Sequence, residues 1–387
     1  MKIAKNVSSL GTEAVYDIFA KTKELAKQGK NIIDLSLGQS NFKSPKHAVD
    51  AAIKALKDGH HGYVLPNGII ECREAVSRKI KNLYNTNIDP KRIVIMPGGK
   101  PTMHYAISFF GELGAEIIYP NPGFPIYESM INYTGAKAVP YNLMEKKDNS
   151  IDAEKVLSLI NEKTTLLILC NPHNPTGSFT EKKEIDKLAK GLLNFPNVAI
   201  LSDEIYSRII FDGKEMPTLL NYPNLYDRLI VLDGWSKTYA MTGWRLGWGV
   251  WPESLIEHVF KFCVNNHSCV NAAAQYGAIA ALDGPEDHLN SMRNEFTIRR
   301  KLIFDGLNSL KGVNCNLPGG SFFIFPDVKN TGMNGEEFFQ KCLQDAGVAT
   351  IPGTAFGKFA VHNVRLNFAT SRENISKALE KIDKILH

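Results

Sequence analysis

An α/β fold built on a largely parallel sheet is predicted by three apolar runs that each end in polar, turn-forming residues. Thr164 to Cys170 leads into Asn171-Pro172-His173-Asn174-Pro175-Thr176-Gly177, a stretch punctuated by proline and glycine. Val198 to Ser202 leads into Asp203-Glu204-Ile205-Tyr206, and Leu229 to Leu232 leads into Asp233-Gly234-Trp235. Runs this short and this apolar suit strands covered on both faces. Strands that deliver polar groups at their C-terminal ends place a ligand site along that edge, where open α/β sheets bind theirs.

The remaining elements follow in order. Val15 to Lys27 reads as an amphipathic helix leading into a strand at Ile32-Ile33-Asp34-Leu35. Arg92 to Met96 reads as a strand that breaks at Pro97-Gly98-Gly99-Lys100-Pro101-Thr102, with an apolar helix from about Met103 to Phe110. Glycines between a strand and a helix let backbone N–H groups approach an anion at the helix's positive end. A glycine pair by itself is usually only a tight turn. Asp283-Gly284-Pro285 is a breaker, and beyond it Ser321 to Phe325 and Val364 to Phe368 read as strands. With 387 residues, 44% of them hydrophobic, the chain can bury a large core and form one large and one smaller domain. No internal repeat or low-complexity tract interrupts it.

The chemistry concentrates after the third run. Ser236-Lys237-Thr238 follows Ile230-Val231-Leu232 closely, and Arg245 lies in Gly243-Trp244-Arg245-Leu246-Gly247. A lysine amine forms Schiff bases with carbonyl compounds. A serine hydroxyl and a guanidinium are groups that hold a phosphate. Arg365 sits in the β-forming run Val364 to Thr370. A guanidinium is unfavourable to bury unless a planar anion meets it; an intramolecular ion pair would serve as well. Taken singly, Asp203 could be a helix N-cap, Asn174 a turn residue, and Tyr206 and Phe124 ordinary core.

Together, in this order, these motifs resemble the class I/II aminotransferases, the fold-type I enzymes that depend on pyridoxal phosphate (PLP), over essentially the whole chain. The resemblance implies a large domain at 48–285 with a mostly parallel seven-stranded sheet sandwiched by helices. A smaller α+β domain would combine 1–47 and 286–387. It implies that Lys237 carries PLP and that Asp203 pairs with the pyridinium nitrogen. Tyr206 and Asn174 would hydrogen-bond the ring's O3′, and Phe124 would stack on the ring. Lys237, Asp203 and Tyr206 form the implied catalytic set. Gly99 and Lys100 (through their backbone), Ser236 and Arg245 are implied at the phosphate. Arg365, Asn174 and Gly38 are implied around the substrate α-carboxylate. Tyr63 matches a tyrosine that reaches the neighbouring subunit's phosphate, which implies a homodimer with shared sites. Two departures stand out. Gly38-Gln39-Ser40-Asn41-Phe42 departs from the common Gly-Glu-Pro-Asp-Phe form, and Phe124 stands where many aspartate-type members have tryptophan.

The implied activity is ping-pong transfer of an amino group between an L-amino acid and a 2-oxo acid, with 2-oxoglutarate as acceptor. A PLP-dependent C–S lyase acting by β-elimination shares every cofactor residue named. A non-catalytic aminotransferase-like module fused to a DNA-binding regulator would carry an added N-terminal helix-turn-helix domain. In aspartate-type members the lysine matching Lys100 reads the substrate's distal carboxylate together with a pair of hydroxyls. Glu13 and Val15 occupy the hydroxyl positions here. Valine donates no hydrogen bond and an ionised Glu13 repels a second carboxylate, so a neutral or aromatic donor is expected. The alternative is that Glu13 points to solvent at a helix start.

Composition sets limits. A net charge of +5 without a basic block does not suggest nucleic acid. Met1-Lys2-Ile3-Ala4-Lys5 lacks a signal peptide's apolar stretch, and no run approaches the roughly 18 apolar residues of a membrane span. The six cysteines show no Cys-x-x-Cys pair and read as free thiols in a reducing cytoplasm. The ten histidines lack ligand spacing, so no metal is expected.

Overall fold

The computed structural model describes residues 1–387. Its strands, in chain order, are β1 (Ile33–Asp34), β2 (Ile93–Met96), β3 (Glu116–Asn121), β4 (Lys137–Asn142), β5 (Thr164–Cys170) and β6 (Ala199–Asp203). They continue with β7 (Leu229–Gly234), β8 (Gly247–Val250), β9 (Phe323–Ile324), β10 (Val348–Ala349), β11 (Ile351–Pro352) and β12 (Val364–Asn367). Seven of them form one sheet in the order β2-β8-β7-β6-β5-β3-β4. Only β8 runs antiparallel to its neighbours; the other pairs are parallel.

Every residue of β2, β3, β6, β7 and β8 is buried, which is why β2, β6 and β7 read as continuous apolar runs and not as alternating ones. Successive side chains go to opposite faces. Leu167, Leu169, Ile200 and Val231 join one core with helices Ile70–Tyr84 and Lys182–Leu192. Leu166, Ile168, Leu201 and Ile230 join another with helices Lys100–Phe110 and Ile126–Thr134. A third core gathers the long helix Asp287–Ser309, the final helix Arg372–Leu386, and β9 and β12. Ile33, Leu35 and Tyr206 also belong to it, so it reaches the residues that follow β6.

Some boundaries differ from expectation. The helix expected from about Met103 starts at Lys100, because Pro101 falls in the first turn, where no N–H is required. The expected strands at 32–35 and 321–325 shrink to two residues each. Ser321 instead gives its N–H to the carbonyl of Ile209 in the segment after β6.

Helices Lys46–Lys57 and Ala272–Asp283 pack through small residues. At Gly277 an added Cβ would stand 2.7 Å from Cζ3 of Trp244 and 2.9 Å from the Ala48 carbonyl. Gly277→Val therefore overpacks this crossing and lowers stability by about 1–3 kcal/mol. Thermal unfolding will register this as a fall in Tm; an unchanged Tm would contradict the packing described.

Candidate active site

At the C-terminal ends of β5, β6 and β7 the sheet opens into a cavity of about 530 Å³, within the range of small-molecule and cofactor sites. Gly38, Gly99, Lys100, Phe124, Asn174, Asp203, Tyr206, Ser236, Lys237, Arg245 and Arg365 all line it. Residues from all along the sequence thus converge on one space. Tyr63 is the one candidate outside it, 92% exposed on the surface.

Lys237 sits in the single helical turn Trp235–Thr238 that directly follows β7. Its Nζ donates to the carbonyl of Gly38 at 2.6 Å. A Cβ on Gly38 would press on the Phe323 ring at 3.3 Å, so this backbone approach favours glycine. Burial, with the Arg365 and Arg245 cations nearby, lowers the lysine's pKa to about 8. The free amine, the nucleophilic form, is thereby reached at a lower pH than in water.

Asp203 ends β6, and its Oδ2 accepts from the Tyr127 hydroxyl at 2.6 Å. Burial raises its pKa to about 6, while Tyr127, the Ile205 N–H and Lys237 hold it down. Tyr127 was not among the expected site residues. In sequence it is one more aromatic in an apolar helix, and its contact is made only when helix Ile126–Thr134 packs on the sheet. Phe124 lies edge-on to Tyr127, with ring centroids 5.9 Å apart. Tyr206 packs against Phe322 and Phe323, its ring centroid 6.0 Å from the Lys237 Nζ.

Opposing elements build a corner of positive potential at one end of the cavity. Helix Lys100–Phe110 begins at the cavity with Gly99 as its N-cap, which directs its positive end there. Arg245 donates only to backbone carbonyls, to Thr242 at 2.8 Å and to Pro97 at 3.2 Å. Gly98 makes that position available: its φ is +93°, and a Cβ there would lie 2.0 Å from Nη2 of Arg245. The start of β8 crosses just behind, where a Cβ on Gly247 would be 2.4 Å from the Gly98 carbonyl carbon.

Arg365, on β12, is 3% exposed. Its guanidinium lies between the rings of Phe323 and Phe356, 4.2 and 4.6 Å from their centroids. Nη1 donates to Asn174 Oδ1 at 2.8 Å and Nη2 to the Ser36 carbonyl at 2.7 Å, while buried Nε has no partner. Its polar contacts are to neutral oxygens, not to a carboxylate. Burial lowers its pKa to about 10, so it stays charged at neutral pH.

The charged residues lining the cavity are Lys100, Lys237, Arg245 and Arg365 against Glu13 and Asp203. Glu13 does not point to solvent. It is 9% exposed and its Oε1 accepts from the Lys100 Nζ. With that pair closed, Arg245 and Arg365 are left facing the cavity without a carboxylate of the protein on either.

Residues 30–382 match the family described as aminotransferase class I and II. The chain belongs to that family. It is 38% identical to a probable aspartate aminotransferase of Methanocaldococcus jannaschii, covering 91% of this chain and 93% of that one. It is 32% identical to aromatic-amino-acid aminotransferase 2 of Thermococcus litoralis, over 95% of this chain and 94% of the other. The solved aspartate aminotransferase of Rhizobium meliloti superposes with a TM-score of 0.94 at 29% identity, covering 100% and 99% of the two chains. The sheet and its flanking helices are those of the fold-type I transferases, and the activity of this aminotransferase is amino-group transfer.

Two outcomes are expected from the geometry. Gly98→Ala should keep the fold but displace the Arg245 guanidinium, weakening inorganic phosphate binding about tenfold or more by calorimetric titration; unchanged affinity would refute the corner described. In the cofactor-free aminotransferase, aldehyde labelling of Lys237 should rise with pH through a midpoint at about 8. Arg365→Met removes a cation that depresses the amine's pKa, so the midpoint should move up. Mass spectrometry of the labelled peptide reads both, and a downward move would show the sign to be wrong.

Proposed function

We propose that this aminotransferase uses pyridoxal phosphate bound at Lys237, with 2-oxoglutarate as amino acceptor and a neutral or aromatic L-amino acid as donor. The observation that carries the cofactor reading is the charge arrangement: a buried carboxylate, a low-pKa amine and a carboxylate-free arginine at a helix N-terminus share one cavity. That donor set fits the group. Gly99, Lys100 (through the backbone), Ser236 and Arg245 would hold the phosphate, and Asp203 would keep the ring nitrogen protonated. Asn174 and Tyr206 would hydrogen-bond the ring oxygen, and Phe124 would cover the ring face. When bound, the cofactor supplies an aldehyde for Schiff-base exchange and a ring that accepts electrons.

The residues then have distinct tasks. Arg365 has five N–H groups, of which the protein uses two, and its edge lines the cavity. It grips the substrate α-carboxylate with the remainder, with Gly38 and Asn174 lining the same pocket. Lys237 would serve as the general base that takes the proton from the substrate Cα and as the acid that gives it back. Tyr127 steadies Asp203 in its charged form. Donor and acceptor would occupy this one cavity in turn, the first product leaving before the second substrate enters, which is ping-pong order.

In this reading 48–285 form the large domain, and 1–47 with 286–387 the smaller one. The chain works as a homodimer in which exposed Tyr63 reaches the partner's phosphate. Its cysteines are all free, which goes with a reducing cytoplasm, and no helix is long and apolar enough to cross a membrane.

Lys237→Ala should slow single-turnover conversion of the cofactor to pyridoxamine phosphate by about 100-fold or more, in line with loss of a general acid–base. Absorbance after rapid mixing with an amino acid follows the conversion. Ordinary turnover in the variant would overturn the assignment of Lys237, and β-elimination without pyridoxamine phosphate would overturn transamination.

A further inference from the structure

Glu13 immediately precedes helix Ala14–Lys27, where a side chain would ordinarily accept an N–H of the first turn. It makes no such bond and turns instead into the cavity, to the Nζ of Lys100. Its side chain is 10% exposed. The same ammonium stands 5.6 Å from the ring centroids of both Tyr16 and Phe124. One cation at this end of the cavity is thus held by a carboxylate and two aromatic rings, with Val15 on the adjoining wall.

We propose that Glu13 is an internal competitor for Lys100, occupying the place of a substrate's distal carboxylate and so setting the preference between dicarboxylic and monocarboxylic substrates. The proposal rests on the aminotransferase reading of the cavity and concerns only its side-chain end. The Glu13 carboxylate has the charge and shape of the distal carboxylate of an acidic amino acid or a dicarboxylic 2-oxo acid. A dicarboxylate reaches Lys100 only by displacing Glu13, since two carboxylates crowded on one ammonium repel each other. A neutral or aromatic side chain leaves the pair closed and lies on Phe124, Tyr16 and Val15. Both substrate classes thus fit one cavity, and the acidic class must open an existing ion pair to do so. Glu13 acts through Lys100 and touches no reacting atom, so it is a specificity residue and not a catalytic one.

The test uses the holoenzyme with one amino donor and two acceptors, 2-oxoglutarate and 2-oxopentanoate, which differ in the distal carboxylate. The readout is the ratio of their kcat/KM values in the unaltered protein, Glu13→Gln, Lys100→Met and the double variant. Glu13→Gln keeps the size of the side chain and should raise the dicarboxylate-to-monocarboxylate ratio at least tenfold. In the Lys100→Met background the same change should move the ratio less than twofold. A rise of equal size in both backgrounds would show plain repulsion and overturn competition for Lys100, and an unchanged or lowered ratio would also overturn it. Calorimetric titration with glutarate and pentanoate, which cannot react, should repeat the pattern in Kd and decides the matter without turnover. Absence of transamination with every donor, alongside the expected binding pattern, would instead count against the functional reading while leaving the Glu13–Lys100 competition standing.

Discussion

Cations gathered on one cavity, with Arg365 fully buried, Lys237 and Lys100 partly so and Arg245 exposed, are the condition to which the rest of this structure answers. Desolvating an ammonium or a guanidinium is strongly unfavourable unless polar groups replace the lost water. A carboxylate on each would solve the problem and would also use up the charge. The protein instead gives Lys237 the Gly38 carbonyl and Arg365 that of Ser36 with the Asn174 side chain, while exposed Arg245, which keeps its water, rests on the carbonyls of Thr242 and Pro97. Neutral oxygens hold the cations in place and leave their charge to act on ligands. Asp233, on the strand that leads to Lys237, lies outside the cavity lining; burial lifts its pKa to about 8 against the hydrogen bonds from Ser207 and the Gly234 N–H.

Backbone can approach the cations so closely because of the sheet's topology. The antiparallel β8 lies between β2 and β7, so the exit of β2 and the entry of β8 meet at one edge. Gly98 and Gly247 touch there, and Arg245, two residues before β8, reaches back across the contact. The parallel strands β5, β6 and β7 end side by side, bringing Asn174, Asp203 and Lys237 to a common rim.

Aromatic rings supply the second kind of support. Arg365 lies between Phe323 and Phe356, and Lys100 lies near Tyr16 and Phe124. A ring face attracts a cation by about 0.5–2 kcal/mol without neutralising it. The difference between the two brackets is Glu13, which pairs with Lys100, whereas no carboxylate of the protein meets Arg365.

Sequence alone determined the parts whose reasons are local. The apolar runs at 164–170, 198–202 and 229–232 became fully or nearly fully buried strands because strands covered on both faces need no alternation. Lys237 and Asp203 were legible because they stand at or just beyond the end of such a run, Arg365 because it interrupts a β-forming run, and Arg245 through its place in the motif that follows Lys237. What the tertiary structure decided are the contacts between elements far apart in the chain. Tyr127 meets Asp203 only because a helix packs across the sheet. Gly98 is needed only because Arg245 comes back to it. Glu13 and Lys100, distant in sequence, pair only because the N-terminal segment folds over the cavity. Such partners leave no periodic or compositional trace, because either residue alone would be acceptable at its own position. Only their approach in space turns them into a site.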